Sequence, residues 1–220
     1  MENVSFISSL HTSTKRNYLK RVTEADKAEC ATVARQWGKD FWDGERKYGY
    51  GGYKYDGRWS IVAESMIVKY GLSDSSCILD VGCGKGHLLY ELKKILPGAK
   101  VKGIDVSEYA IENSKSEVQD CLEIGDANKL SFEDDSFDFV FTINALHNLR
   151  IYDLKSAVKE IQRVSRNHSY IAVESYRNER EKVNLLYWQL TCQAFFSTEE
   201  WVWLYKEYGY TGDYEFIFFE

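Results

Sequence analysis

The segment Asp80-Val81-Gly82-Cys83-Gly84-Lys85-Gly86 decides how this chain is read. It follows the apolar run CILDV (77–81), whose length and branched residues predict a strand, and precedes HLLYELKKIL (87–96), which has helical spacing and is closed by Pro97-Gly98. Glycines between a strand and a helix let the backbone approach a ligand closely and adopt dihedrals that a Cβ forbids. The same alternation continues outward. KVKGID (100–105), CLEI (121–124), SFDFVFTI (136–143) and YIAVE (170–174) read as strands, and YEFIFFE (214–220) closes the chain as a sixth. Between them lie a Ser107-capped helix near SEYAIENSKSEV, a helix DLKSAVKEIQRV capped by Asp153, and a helical stretch over 178–193. Ser197 and Glu200 form a capping box for the last helix, which Gly209 ends. Regular βα alternation predicts an α/β fold with a doubly wound, mostly parallel sheet, with a ligand beyond the carboxyl ends of the strands.

Upstream of this core the composition changes. Residues 1 to about 40 are polar with scattered apolar positions and predict two short helices. FWDGERKYGYGGYKYDGRW (41–59) is crowded with aromatics and glycines and reads as a structured loop. Asp56 is placed to cap a helix whose buried face carries Trp59, Val62, Ala63, Met66, Ile67 and Tyr70, with Gly71 at its end. The expected organisation is a helical arm with an aromatic-glycine lid over 1–60 and a core over 61–220, interrupted by a helical insertion at about 176–195.

Bulk properties exclude several classes. The chain has 220 residues, 44% hydrophobic and 28% charged, a globular composition long enough to bury a core without staples. Its net charge of −6, with no long Lys/Arg run, argues against a nucleic-acid partner. Apolar stretches are strand-sized, so no membrane insertion is expected, and the N-terminus lacks the order of a signal peptide. Five scattered cysteines fit reduced thiols, and a cytoplasmic location is expected. No Cys/His cluster has metal-ligand spacing, so no metal is expected.

The glycine pattern itself discriminates. A dinucleotide fingerprint needs glycine at 87, where His87 stands, and no G-K-[ST] of a phosphate-binding P-loop occurs. The D-x-G-x-G-x-G order resembles the loop of the class I S-adenosylmethionine-dependent methyltransferases, and the resemblance runs from about Cys77 to Glu174. It implies a Rossmann-like fold and S-adenosyl-L-methionine as cofactor, with S-adenosyl-L-homocysteine as product. By that resemblance Asp80, Gly82, Cys83, Gly84 and Gly86 form the loop. Asp105 with Val106 ends the second strand at the ribose hydroxyls, Asp126-Ala127 meets the adenine amino group, and Asn144 in TINALHNL lies near the methionine moiety. EIQRV (160–164) also resembles the family, whereas Arg166-Asn167-His168 stands where the family usually has Pro-Gly-Gly. The other reading of these residues is a tight βα turn with Asp105 as a helix cap.

Proline scarcity narrows the reaction. With Pro97 as the single proline, the N/D-P-P-Y signature of exocyclic-amine methylation and the Pro-Cys nucleophile of cytosine-C5 enzymes are both absent, and Asn144 stands where divalent-metal catechol-type sites carry an acid. A metal-independent enzyme acting on a small molecule remains. His147 is the leading candidate base, against a histidine packed to orient Asn144. Glu174, at the end of the fifth strand, is a second candidate, against a capping or salt-bridging role. His87, His11 and His168 are assigned no role. For the substrate side, Tyr50, Tyr53 and Trp59 offer flat faces for a lid or a sugar, Lys54 and Arg58 an anion grip, and Tyr176 and Arg177 the opposite wall. YGYGGYKYDGRW (48–59) and ESYRNEREKVNLLYWQL (174–190) look like stand-alone bacterial enzymes of surface-polysaccharide or capsule biosynthesis. That likeness implies O-methylation of a sugar, phosphorylated or phosphoramidate-type precursor. N-methylation of a small amine, an NAD(P)-dependent oxidoreductase or a non-catalytic binding module are the alternatives. The acceptor is expected to be anionic or sugar-like. The first 40 residues either cover the chain's own site or pair with another subunit in a homodimer.

Overall fold

The computed structural model describes residues 1–12 and 16–220. Six strands, β1 (Cys77–Val81), β2 (Lys100–Asp105), β3 (Leu122–Ile124), β4 (Phe137–Ile143), β5 (Ser165–Glu174) and β6 (Asp213–Ile217), form one sheet in the order β3-β2-β1-β4-β5-β6. Every pairing between them is parallel, so the sheet is wholly rather than mostly parallel. The closing strand β6 lies beside β5, with Tyr170 opposite Asp213 and Glu174 opposite Ile217.

The central strands β1 and β4 are covered on both faces, which is why their sequences run almost continuously apolar. Alternate residues feed two cores. Leu79, Val140, Ile171 and Val173 pack with Leu154, Val158 and Ile161 of α8 (Ile151–Val164) and with Trp201 and Tyr205 of α10 (Thr198–Glu207). Ile78, Phe139, Phe141 and Ala172 face the other way, against Val62 and Met66 of α5 (Ser60–Tyr70) and Leu88, Leu89 and Leu92 of α6 (His87–Ile95). A short helix α7 (Glu108–Glu112) follows β2, and α9 (Glu179–Trp188) lies between β5 and α10. The strand order reverses between β1 and β4, which opens a crevice at their carboxyl ends.

Several local expectations are corrected. The arm holds four short helices among the described residues rather than two: α1 (Ser8–Thr12), α2 (Tyr18–Thr23), α3 (Lys27–Ala34) and α4 (Lys39–Trp42). Asp56 caps nothing. Its carboxylate accepts from the Arg58 amide and side chain, and α5 starts at Ser60. Asp153 sits inside the first turn of α8, where a carboxylate still suits the helix dipole. α7 stops at Glu112, well short of Val118, and α9 ends at Trp188 rather than near 193. β5 begins at Ser165, not Tyr170, and takes in Arg166-Asn167-His168, because β4 offers a partner from Phe137 onward and Asp138 holds Arg166 and Asn167 at 3.0 and 3.3 Å. The Ser107 cap, the αL glycine at Gly71 and the Ser197–Glu200 capping box are present as read.

The arm is fastened by its contacts with β6. Asn3 pairs with Tyr214 in a parallel bridge. The buried Glu215 carboxylate accepts from the amides of Phe6 (2.7 Å), Ile7 (3.1 Å) and Ser8 (2.8 Å), from Ser8 Oγ (2.6 Å) and from the Tyr170 hydroxyl (2.6 Å). Five donors on one anion replace the water it has lost. Glu215→Gln puts an amide N–H2 where a donor already points. The expected loss is ~2–3 kcal/mol in urea unfolding, the scale of charged hydrogen bonds, with faster hydrogen exchange at Phe6–Ser8. Unchanged stability would show that Glu215 does not hold the arm.

Candidate active site

The turn after β1 is drawn against the end of β2. The amides of Gly82 and Cys83 both donate to the Ile104 carbonyl, at 2.8 and 2.9 Å, and the Gly84 amide donates to Asp105 Oδ2 at 2.8 Å. Gly82 has φ +84°, and a Cβ there would lie 2.4 Å from that of Ala145, so only glycine lets the two loops touch. The other Asp105 oxygen accepts from the Ser107 amide at 2.8 Å. Each oxygen thus spends one lone pair on the backbone and keeps another, enough to receive two vicinal hydroxyls. Burial raises the Asp105 pKa above the usual carboxylate range, against the lowering effect of those two amides. Asp80 beneath is raised further, by burial and then by the charge of Asp105.

A cavity of about 510 Å³ opens at the carboxyl ends of β1, β2, β4 and β5. Gly82, Asp105, Val106, Asp126, Ala127, Asn144, His147, Glu174 and Tyr50 line it. Asn144 adopts a left-handed φ of +58°, which asparagine tolerates better than most residues, and its Oδ1 is buried without a hydrogen-bond partner among the described residues.

Other predicted residues lie elsewhere. Asp80, Cys83, Gly84 and Gly86 are packed behind the cavity wall, and a Cβ on Gly84 would meet the Trp42 ring at 2.7 Å. Tyr53 stacks on His87 at 4.8 Å, bracing α6 instead of lining the cavity. Lys54 and Trp59 do not line it either, and Trp59 packs against the core. Arg58 is taken up by an ion pair with Asp56. Arg177 pairs with Glu181 and Glu220 on the far side of β6, where Tyr176 bridges to Ser197. The Tyr-rich segment is therefore mainly a brace. Asp43 ties it to the glycine loop, accepting from Lys85 Nζ (2.6 Å), Tyr109 Oη (2.9 Å) and the Tyr53 amide (3.0 Å).

The remaining wall falls largely within the expected arm, lid and helical insertion, although most of its individual residues were not singled out. His11, Arg16, Arg21, Trp37, Phe41, Trp42 and Arg46 come from the arm and the loop after it, while Trp188, Gln189 and Phe219 come from α9 and the C-terminal segment. No periodicity marks them, because they converge from short helices that pack across the sheet edge.

At the centre sit two buried titratable groups. His147 Nε2 lies 3.4 Å from Glu174 Oε2, and the Glu174 amide approaches His147 Nδ1 at 3.4 Å. That arrangement assigns the imidazole proton to Nε2, facing the carboxyl. Both contacts are long, and Glu174 Oε2 has no hydrogen bond of good geometry among the described residues. Burial raises the Glu174 pKa to about 8, opposed by a hydrogen bond from Gln189 and the charge of Arg16. Burial lowers His147 to about 3. The pair is thus neutral at pH 7, a carboxylic acid beside an uncharged imidazole. A carboxyl raised in the fold favours the native state below its unfolded pKa, and that contribution is lost as pH rises toward 8. Glu174→Gln should flatten the fall of stability between about pH 4.5 and 8, by no more than ~1.4 kcal/mol per pH unit. Urea titrations at several pH values test this, and parallel curves for the two proteins would refute it.

A sequence model of the methyltransferase-domain family matches residues 72–209, more than half of the chain. Demethylmenaquinone methyltransferase of Staphylococcus aureus (strain JH9) is 37% identical over 99 residues, covering 43% of this chain and 40% of that protein. An uncharacterized methyltransferase of Schizosaccharomyces pombe is 30% identical over 122 residues, covering 50% of this chain and 43% of that one. The matched part thus spans less than half of each curated relative. Among solved structures, the YcgJ protein of Bacillus subtilis superposes with a TM-score of 0.52 at 24% identity, over 66% of both chains. A methyltransferase candidate of Bacillus halodurans C-125 superposes with a TM-score of 0.55 at 21% identity, over 67% of this chain and 68% of that one. At such identities the likeness is one of fold.

Proposed function

The chain belongs to the methyltransferase-domain family, and on that premise we propose that it transfers a methyl group from S-adenosylmethionine to a hydroxyl of a small molecule. We favour O-methylation of a sugar, phosphorylated or phosphoramidate-type precursor of a surface polysaccharide. The observation that carries the hydroxyl is Glu174: a buried carboxyl on the cavity wall, its Oε2 unpartnered among the described residues and its pKa near 8. An alcohol must lose its proton as it attacks, and a base is most effective when its pKa lies near the working pH. N-methylation of a small amine, the second reading, has less need of that carboxylate.

The residues at the glycine loop suit the cofactor. Asp105 retains lone pairs for a ribose, Asp126 lines the cavity beyond β3, and the Gly82 backbone bounds it without a side chain. When bound, S-adenosylmethionine supplies an electrophilic methyl on a good leaving group, so the protein's main work is alignment. Glu174, once ionised, would accept the acceptor's hydroxyl proton. His147, uncharged throughout the working range, would hold that carboxylate through its Nε2–H and is the weaker base of the two.

Calorimetry with S-adenosylmethionine, S-adenosylhomocysteine and NADH tests the cofactor. The first two should bind, and NADH binding alone would overturn the reading. Asp105→Ala should weaken S-adenosylmethionine by ~1.5–3 kcal/mol, the scale of charge-assisted hydrogen bonds, and unchanged affinity would remove Asp105 from the site. Once an acceptor is in hand, kcat should rise with pH to a plateau above about 8. Glu174→Gln should lose that limb and fall ~10²–10⁴-fold, whereas His147→Asn should shift the limb without abolishing it. A limb that survives in Glu174→Gln excludes Glu174 as the base.

A further inference from the structure

The part of the cavity lined by the arm and α9 is built from cations. Arg16, Arg21 and Arg46 all lie against the indole of Trp188, their guanidinium carbons 5.4, 5.2 and 5.1 Å from its ring centre. The backbone secures them with neutral acceptors. Arg21 donates to the Trp188 carbonyl at 3.3 Å and the Arg46 carbonyl at 2.6 Å, Arg46 to the Gly49 carbonyl at 2.5 Å, and Arg16 to the His11 carbonyl at 3.0 Å. Among the described residues, Arg21 and Arg46 donate to backbone carbonyls and neither faces a carboxylate.

Three like charges around one ring repel each other. Burial and then the charge of Arg46 lower the proton affinity of Arg21, and burial with the Arg21 charge lowers nearby Lys27 to about 8. Among the described residues no carboxylate neutralises Arg21 or Arg46, although the chain carries six more acidic than basic charges. Attraction to the indole face supports such cations only in part. A guanidinium that lies against a ring keeps N–H donors at its edge, in the fork that matches carboxylate and phosphate oxygens. Of the acidic residues lining the cavity, Asp105 and Asp126 belong to the glycine-loop region and Glu174 is protonated at neutral pH, so a positively charged cofactor and an anionic acceptor would be sorted to different parts of one space.

We infer that Arg16, Arg21 and Arg46 around Trp188 form a receptor for an anionic group, a phosphate or a carboxylate, carried by the methyl acceptor. That the anion belongs to the acceptor rests on the methyl-transfer reading; the receptor itself does not. The site deepens that reading by naming which residues select a charged substrate.

Pyrophosphate and citrate serve as phosphate and carboxylate probes, with glucose as the neutral control. The readout is the indole N–H resonance of Trp188 in the full chain, assigned with Trp188→Phe, while S-adenosylhomocysteine affinity is measured on the same samples. Pyrophosphate or citrate should shift the resonance saturably and glucose should not, and the tighter of the two anions names the group. Arg21→Gln and Arg46→Gln should each weaken the anion at least tenfold and leave S-adenosylhomocysteine affinity unchanged. No saturable shift with either anion, or equal affinity in both variants, overturns the receptor. Anion binding without S-adenosylhomocysteine binding overturns the methyl-transfer reading and leaves the receptor standing.

Discussion

Three backbone amides at the end of the first strand set the geometry of everything around them. Gly82 and Cys83 share the Ile104 carbonyl, and Gly84 reaches the Asp105 carboxylate, so the loop after β1 lies across the end of β2. This pull fixes Asp105 before any ligand arrives, with one lone pair per oxygen left over. It brings Gly82 against Ala145 in the loop after β4, where a methyl group would not fit. It also leaves Gly84 bare for the Trp42 ring, whose Nε1 donates to Ser107 Oγ at 2.8 Å. The arm is therefore registered on the glycine loop through the Gly84 face and the Asp43 contacts with Lys85 and Tyr109.

The cavity that results is polarised. Carboxylates gather at the glycine loop, guanidiniums at α9, and a neutral acid–imidazole pair belongs to the wall they share. Burial keeps Glu174 protonated and His147 uncharged at neutral pH, and raising the pH toward 8 ionises the carboxyl.

What the sequence disclosed, and what it hid, follows from the range of the interactions. Strands β1 and β4 are announced by contiguous apolar runs and β2 by apolar positions alternating with lysines, and Asp105, Asp126 and Asn144 follow from the family resemblance at or just after the ends of β2, β3 and β4. The arm has no such grammar. Its helices are four to eight residues long, the apolar residues of α3 are spread around it rather than gathered on one face, and α2 shows no buried residue at all. Arg16, Arg21 and Arg46 become neighbours only because α2 packs on α9, more than 150 residues away. The misplaced anion grips had a visible cause: Arg58 lies two residues from Asp56, and Arg177 four from Glu181, each near a local acid. An arginine with a carboxylate so close in sequence is a poor candidate for binding a ligand's anion.

The Glu215 clamp gives the molecule an order of assembly. The amide of Ile7 waits for a carboxylate 208 residues downstream, so its hydrogen bond closes nearly the whole chain into one loop. Such a contact has the largest ordering entropy to overcome and is made late. During synthesis the sheet from β1 to β5 can pair while the arm is still undocked, since the arm's anchor lies in β6. The glycine loop and Asp105 are then in place before Arg16 and Arg21 arrive, and a nascent chain can shape the glycine-loop side of its cavity before the opposite wall exists.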